Sequence, residues 1–556
     1  MSTLVPPPAS PGVPRVSYQG QLEHVVQDLL DKIQREKPTD AVDFLQKTLS
    51  QTFTSPPASP VTRFPSELGC RALSIVVLGA SGDLAKKKTF PALFQLFDRG
   101  FLPPTTSIVG YARSALTKEQ LCDKIRPALP KKDVEPARVD AFLRTIDMVT
   151  GAYDSVESFA VLHQRLLALE RAKCPSGGSN RVFYLALPPT AFVDACRGIK
   201  AACTVPATDG WARIVVEKPF GHDTDSSLQL TKQLTALFRE DQLFRIDHYL
   251  GKEMVKNIVC LRFANHVFSS VWNRNHIHSV QITFKEQIGT EGRGGYFDSF
   301  GIIRDVIQNH LTQIFALVAM ERPRSLSGED IRDEKVALLK CVLPADPANC
   351  VLGQYTAKPD GSVPGYLDDP TVPRGSTTPT FASLVLYVQN DRWDGVPFII
   401  KAGKAMESKQ VTVRIQFRNE IRPFVDEAVR NELVIRAQPD EAVYMKINVK
   451  APGMLSHLEQ TELDLSYRTR YSTVSLPEAY ESLINEVIVG NSTNFVRDDE
   501  LDAAWKIFTP LLHAIDAGRV APKPYPMGSR GPPEADAMVQ RLGYVRSSTY
   551  KWNASI

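Results

Sequence analysis

An unbroken apolar run, LSIVVLG at 73 to 79, opens straight onto GASGDLAKKK at 79 to 88, and few folds can hold that junction. A strand with no polar alternate must be covered on both faces, which a parallel sheet between helix layers provides. TSIVGYAR at 106 to 113 repeats the pattern after a helical segment, and RVFYLAL at 181 to 187 and ARIVVEK at 212 to 218 extend it. From about Ala72 the chain therefore predicts a doubly wound, Rossmann-type α/β domain that ends near Asp247. Past that point the runs alternate, as in HSVQITFKE at 278 to 286, FASLVLYVQN at 381 to 390 and QVTVRIQF at 410 to 417, with a helix expected around 301 to 320. Alternation at period two predicts a large, mainly antiparallel sheet in a second α+β domain. The expected divisions are 1–68, 69–247 and 248–556.

Gly79, Gly82 and Ala85 give a GxxGxxA turn directly after the first strand, with Ala80 and Ser81 inside it and Asp83 and Leu84 entering a helix that continues through Lys86. Such a turn lets backbone amides approach a pyrophosphate at the positive end of a helix. A glycine turn that merely joins strand to helix is the plainer alternative, and Pro91 predicts a break in that helix near Phe90. At the end of the second strand, where an acidic residue would hold the ribose hydroxyls of NAD, stands Arg113. A fork-shaped cation there suits a 2′-phosphate, so the expected cofactor is NADP.

Composition narrows the partners. Against 65 basic residues stand 62 acidic ones, a net charge of +3, too balanced for nucleic acid bound by bulk charge. The eight cysteines show neither CxxC nor zinc-knuckle spacing, so no metal is expected and the thiols are read as reduced. No stretch of about 18 apolar residues predicts a membrane span, the start lacks a signal-type apolar run, and the final NASI is not an SKL-type address. The expected location is the cytoplasm. Two proline-rich stretches, at 5 to 14 and 54 to 65, bracket Leu22, Val25, Val26, Leu29, Leu30 and Ile33, then Val42, Leu45 and Leu49, at helical spacing. Two helices that short need a partner, each other across a dimer, or the body of the protein.

RIDHYLGKE at 245 to 253 sets Asp247, His248, Tyr249 and Lys252 side by side, a grouping suited to a phosphorylated, hydroxylated small molecule. His310 lies on an apolar helical face with Ile303, Val306 and Ile307, and by spacing alone a core histidine is the more common reading. Taken with GASGDLAKKK, EKPFG at 217 to 221 and GIIRDVIQNH at 301 to 310, however, the chain from about Ala72 to Trp552 closely resembles the glucose-6-phosphate dehydrogenase family. That resemblance implies oxidation of glucose 6-phosphate to its lactone with NADP, opening the oxidative pentose phosphate route. It gives His310 the role of general base and Asp247 that of orienting it. It makes His248 and Lys252, with Tyr249 alongside, the phosphate ligands, and assigns Glu286, Asp305 and Lys404 to the sugar. Lys218 bridges substrate and cofactor, its bond to Pro219 a candidate cis peptide, and Tyr184 lies along the cofactor. Lys409 stands where many relatives carry arginine, a swap that keeps charge and loses the fork. Some relatives hold a second NADP in the large domain. Arg414, Arg436, Lys446, Arg530 and Trp552 match residues of that site, whereas Gln410 and Arg546 replace a lysine and a tyrosine. Family precedent implies a homodimer or homotetramer.

Rival readings are thinner. None of the sixteen tyrosines has lysine four residues later, which removes a short-chain reductase, and HIH at 276 to 278 has no acidic third ligand nearby. A catalytically silent NADP sensor that recruits partners through its N-terminal helices would have no need of Asp247 and His310.

Overall fold

The computed structural model describes residues 71–545 except 131–133, 176, 207, 420–428 and 455–456. The expected N-terminal helices, and Arg546 and Trp552, lie outside the described residues.

Six strands, β1 (Ala72–Leu78), β2 (Thr106–Ala112), β3 (Ile146–Thr150), β4 (Ser179–Leu185), β5 (Ala212–Glu217) and β6 (Leu243–Ile246), build a wholly parallel sheet in the order β3-β2-β1-β4-β5-β6. Every residue of β1 and β2 is buried, as their continuous apolar runs require. The sequence reading missed β3 and β6. Partly exposed IDMVT carries a weak pattern, and four-residue LFRI is too short to show one. Helix α1 (Phe90–Asp98) covers one face of this sheet, and α2 (Val156–Lys173) and α3 (Phe192–Ala202) cover the other.

Nine strands form the second sheet: β7 (Ile277–Lys285), β8 (Cys350–Thr356), β9 (Phe381–Leu386), β10 (Phe398–Gly403), β11 (Gln410–Phe417), β12 (Glu432–Gln438), β13 (Ala442–Lys450), β14 (Leu458–Ser466) and β15 (Lys523–Pro526). Their order is β14-β13-β12-β11-β7-β10-β9-β8-β15, antiparallel except at β10–β7 and β15–β8. Alternate residues divide the faces: Val280, Ile282 and Phe284 of β7 join the core while Gln281, Thr283 and Lys285 turn to a polar cavity.

The helix expected around 301 to 320 is present but changes pitch. Ile303–Leu311 is wound as a π-helix and only Thr312–Ala319 (α4) is α. Two side chains reach five residues back, Asn309 Nδ2 to the Arg304 carbonyl at 3.0 Å and Thr312 Oγ1 to that of Ile307 at 2.7 Å, and support the wider turn. A second π turn, Ala85–Thr89, precedes α1. Pro91 has no amide to donate to the Lys87 carbonyl, and in place of the break expected near Phe90 the helix continues, changing from π to α pitch at that residue. Helix α5 (Gly328–Lys340) follows. Near the C-terminus α6 (Ala479–Val489) returns to the first sheet, where Leu483, Ile484 and Val487 pack with α1, and α7 (Asp498–Asp516) begins after Val496 pairs with Arg245 of β6.

Candidate active site

Strands β1, β5 and β6 end on one edge of the parallel sheet, and the residues that follow them converge there. After β1, Gly79 adopts φ +82°, and a Cβ on it would lie 2.2 Å from the Ala186 carbonyl oxygen, so β4 leaves room for glycine alone. The Gly79 and Ala80 amides donate to the Tyr111 carbonyl and the Gly82 amide to that of Gly79. Those bonds set the turn, and the amides of the helix start behind it, from Asp83 on, are the ones left to meet phosphate. Asp83 is held by Lys86 at 3.3 Å, Lys87 at 2.9 Å and, across the cleft, Arg293 at 3.8 Å. Arg113 is exposed at the end of β2. Tyr184 is placed deeper than a side chain lying along a cofactor would be. It is 1% exposed, its hydroxyl donates to Glu217 Oε1 at 2.5 Å, and it packs in the core beneath the turn.

After β6 the chain folds into consecutive turns through Lys252, where the helix Glu253–Phe263 begins. Asp247 Oδ1 accepts the Tyr249 amide at 2.9 Å and meets His310 Nδ1 at 2.5 Å, with both side chains almost wholly buried. The π-helix makes that meeting useful. Residues five apart stack in an i→i+5 helix, so Asp305 and His310 face the same way, whereas an α-helix would turn them apart. Lys218, whose bond to Pro219 is cis, donates to the Asp305 carbonyl at 2.6 Å and to its carboxylate at 3.2 Å. Lys404 bonds Glu286 at 2.8 Å and lies 3.9 Å from Asp305. His248 packs edge-on to His310 with ring centres 4.5 Å apart, and Lys252 sits over the Tyr249 ring at 5.1 Å.

A cavity of about 1090 Å³ takes in Lys218, His248, Tyr249, Lys252, Glu286, Asp305, His310, Lys404 and Lys409 together with Leu84 and Lys88 of the glycine turn's helix. The predicted substrate residues are thus brought together beside the predicted cofactor turn, with Asp247 behind His310. Three further residues join them, of which only Glu217 lies in a stretch the sequence marks, EKPFG. Gln438 accepts from Lys252 at 2.8 Å, Tyr480 stacks on His248 at 5.8 Å, and Glu217 lies under the floor between Tyr184 and Tyr480. A QP dipeptide in a hairpin marks Gln438 only as a turn, and Tyr480 comes from α6, more than two hundred residues from His248 in sequence.

Burial holds His248 well below the usual histidine value. His310 is held well below it by burial, then by Lys218, so it rests neutral. Its Nδ1 hydrogen is given to Asp247, which leaves Nε2 as the basic atom. Asp305 stays ionised because Lys218 and Lys404 outweigh its burial. Glu217 is pushed up to about 7 by burial, against the hydrogen bond from Tyr184. Asp247, His248 and His310 are also the group of ligand-type side chains, among the described residues, that lie close enough for a metal. Five lysines line the same cavity, Lys88, Lys218, Lys252, Lys404 and Lys409, and oppose a dication there.

The fold has counterparts among known proteins. The model of the glucose-6-phosphate dehydrogenase NAD binding domain matches residues 76–257, and that of the C-terminal domain matches 259–553. The chain belongs to the glucose-6-phosphate dehydrogenase family. A cytoplasmic glucose-6-phosphate 1-dehydrogenase of Arabidopsis thaliana is 55% identical over 490 residues, 86% of this chain and 93% of its own. One of Dictyostelium discoideum is 51% identical over 485 residues, 86% of this chain and 96% of its own. Among solved structures, a glucose-6-phosphate dehydrogenase in complex with glucose 6-phosphate superposes with a TM-score of 0.83 at 48% identity, over 86% of this chain and 99% of that one.

The large domain holds a second cavity of about 820 Å³ lined by Gln410, Arg414, Arg436, Lys446 and Arg530, residues singled out by resemblance to a second NADP site. Glu432 accepts from Arg414 and Lys446 at 2.9 Å each in its wall.

Proposed function

We propose that this member of the family oxidises the C1 hydroxyl of glucose 6-phosphate to 6-phospho-D-glucono-1,5-lactone through His310 as base and Asp247 as its orienting acid. The observation that carries the reading is the 2.5 Å Asp247–His310 pair, set in the wall of one cavity with a cationic end and the glycine turn. His248, Lys252, Lys409 and the Tyr249 hydroxyl hold the phosphate, and Glu286, Asp305 and Lys404 accept and donate to the sugar hydroxyls. His310 Nε2 takes the C1 hydroxyl proton while the imidazolium that forms is balanced by Asp247. The donor set suits NADP: helix-start amides and Lys86 for the pyrophosphate, Arg113 for the 2′-phosphate and Lys218 near the nicotinamide end. When bound, NADP accepts the hydride that leaves C1. Tyr184 serves this site by holding Glu217 beneath the turn.

The test is absorbance at the reduced-nicotinamide band after mixing protein, NADP and glucose 6-phosphate. A rise that the His310→Ala chain lacks supports the reading, and no rise in either overturns it. Likeness to the cytoplasmic relatives places the protein in the cytoplasm; among the described residues no helix is long and apolar enough to cross a membrane. The assembly is a homodimer or homotetramer, and the segment of residues 1–68 is a candidate contact for a partner. The native mass, with and without that segment, decides both points.

A further inference from the structure

Arg113 is an exposed side chain, and an exposed arginine discriminates poorly unless something fixes its plane. The face of Tyr153 lies under it, the guanidinium carbon 5.5 Å from the ring centre. Tyr153 is itself fixed from below. It is 8% exposed, its ring packs against Tyr111 with centres 5.9 Å apart, and its hydroxyl lies by the backbone of both Arg113 and Gly79. The chain leading to it is pinned to β2 at two points, the Gly151 amide donating to the Ala112 carbonyl at 3.0 Å and the Tyr111 hydroxyl to the Ala152 carbonyl at 2.7 Å. Glycine is needed at 151, because a Cβ there would come within 2.3 Å of that hydroxyl. Each part of this mount is buried or hydrogen-bonded, and the arginine on top of it is exposed.

We propose that Tyr153 is the positioning residue for cofactor choice: its ring is the platform that holds the Arg113 guanidinium edge-on to a 2′-phosphate. The proposal rests on the reading of Arg113 as the 2′-phosphate ligand. An arginine lying flat on an aromatic face keeps its donors directed along the plane of the guanidinium, where two of them can meet two phosphate oxygens at once. Without the ring, the side chain samples other rotamers and must be ordered by the phosphate itself, a cost that falls on NADP and not on NAD.

The experiment measures binding of 2′,5′-ADP and of 5′-AMP to the full-length protein and to Tyr153→Met, Tyr153→Leu, Tyr153→Phe and Arg113→Ala. The expected result is a Kd for 2′,5′-ADP raised about three- to tenfold in the Met and Leu chains, with 5′-AMP unchanged and the Phe chain close to the parent. In an Arg113→Ala background, Tyr153→Met adds nothing. Equal weakening of both nucleotides, a Phe chain as weak as the Met chain, or a Tyr153→Met effect that persists without Arg113 would each overturn the proposal. An Arg113→Ala chain that keeps its preference for 2′,5′-ADP removes the reading of Arg113 and the proposal with it. A normal Arg113 effect beside an unchanged Tyr153→Met chain removes Tyr153 alone. Two apolar variants are included so that misfolding of one leaves the other to decide.

Discussion

His310 can act as a base because it is kept neutral, and the same burial that keeps it so fixes its geometry. Replacing it with alanine leaves the cationic end intact, so glucose 6-phosphate affinity should hold while turnover falls by about two to four orders of magnitude. Asp247→Ala should also bind sugar, with a histidine no longer oriented, and lose turnover by a similar factor in steady-state assays. The pH profile follows from the sign of the shifts. His310 and His248 both lie below the ordinary histidine value of 6.5, so the acid limb of kcat/KM belongs below that pH. Folding shows the same sign: two histidines that resist protonation when buried stabilise the fold above pH 6.5 and lose that contribution as pH falls toward their lowered values. An acid limb above 6.5 would contradict the assignment. Arg113→Ala should raise the KM for NADP with little change for NAD.

At the scale of elements, the π-helix over Ile303–Leu311 decides whether the site exists. Deleting one residue from it, such as Gln308, whose buried amide nitrogen has no partner, should restore α pitch and swing His310 away from either Asp247 or Asp305. The expected outcome is a folded chain of unchanged helical circular dichroism with turnover reduced at least about a hundredfold, the scale of losing an oriented base. Substituting the supports is milder: without the Asn309 and Thr312 bonds to residues five back, turnover should fall while sugar affinity stays. The sequence showed this segment as helical from its apolar spacing, but pitch is set by side chains folding back on the backbone, which periodicity does not report.

Across the whole molecule, the strand that leads into Asp247 and the helix carrying His310 are locked through a third region. Val496 donates to the Arg245 carbonyl at 3.1 Å, α7 starts two residues later, and its Glu500 bonds Lys335 of α5 at 2.8 Å, which also reaches Gln313 of α4 at 2.9 Å. Lys335 and Glu500 are wholly buried, so Lys335→Met strands a carboxylate in the core and should cost about 3–5 kcal/mol in denaturant unfolding. Adding Glu500→Leu should recover most of that loss. Much was legible beforehand: apolar runs without alternation reported buried parallel strands, the glycine turn lay between strand and helix, and Asp247, His248, Tyr249 and Lys252 were already adjacent in the chain. These are local facts, and local chemistry writes them into neighbouring residues. What the sequence could not contain is distance across the fold. That Tyr480 would stack on His248, that Gln438 would meet Lys252, and that Tyr184 would be buried on Glu217 were decided when α6, the β12–β13 hairpin and the first sheet packed together. Packing of remote segments depends on the summed burial of many side chains, which no single stretch of residues records.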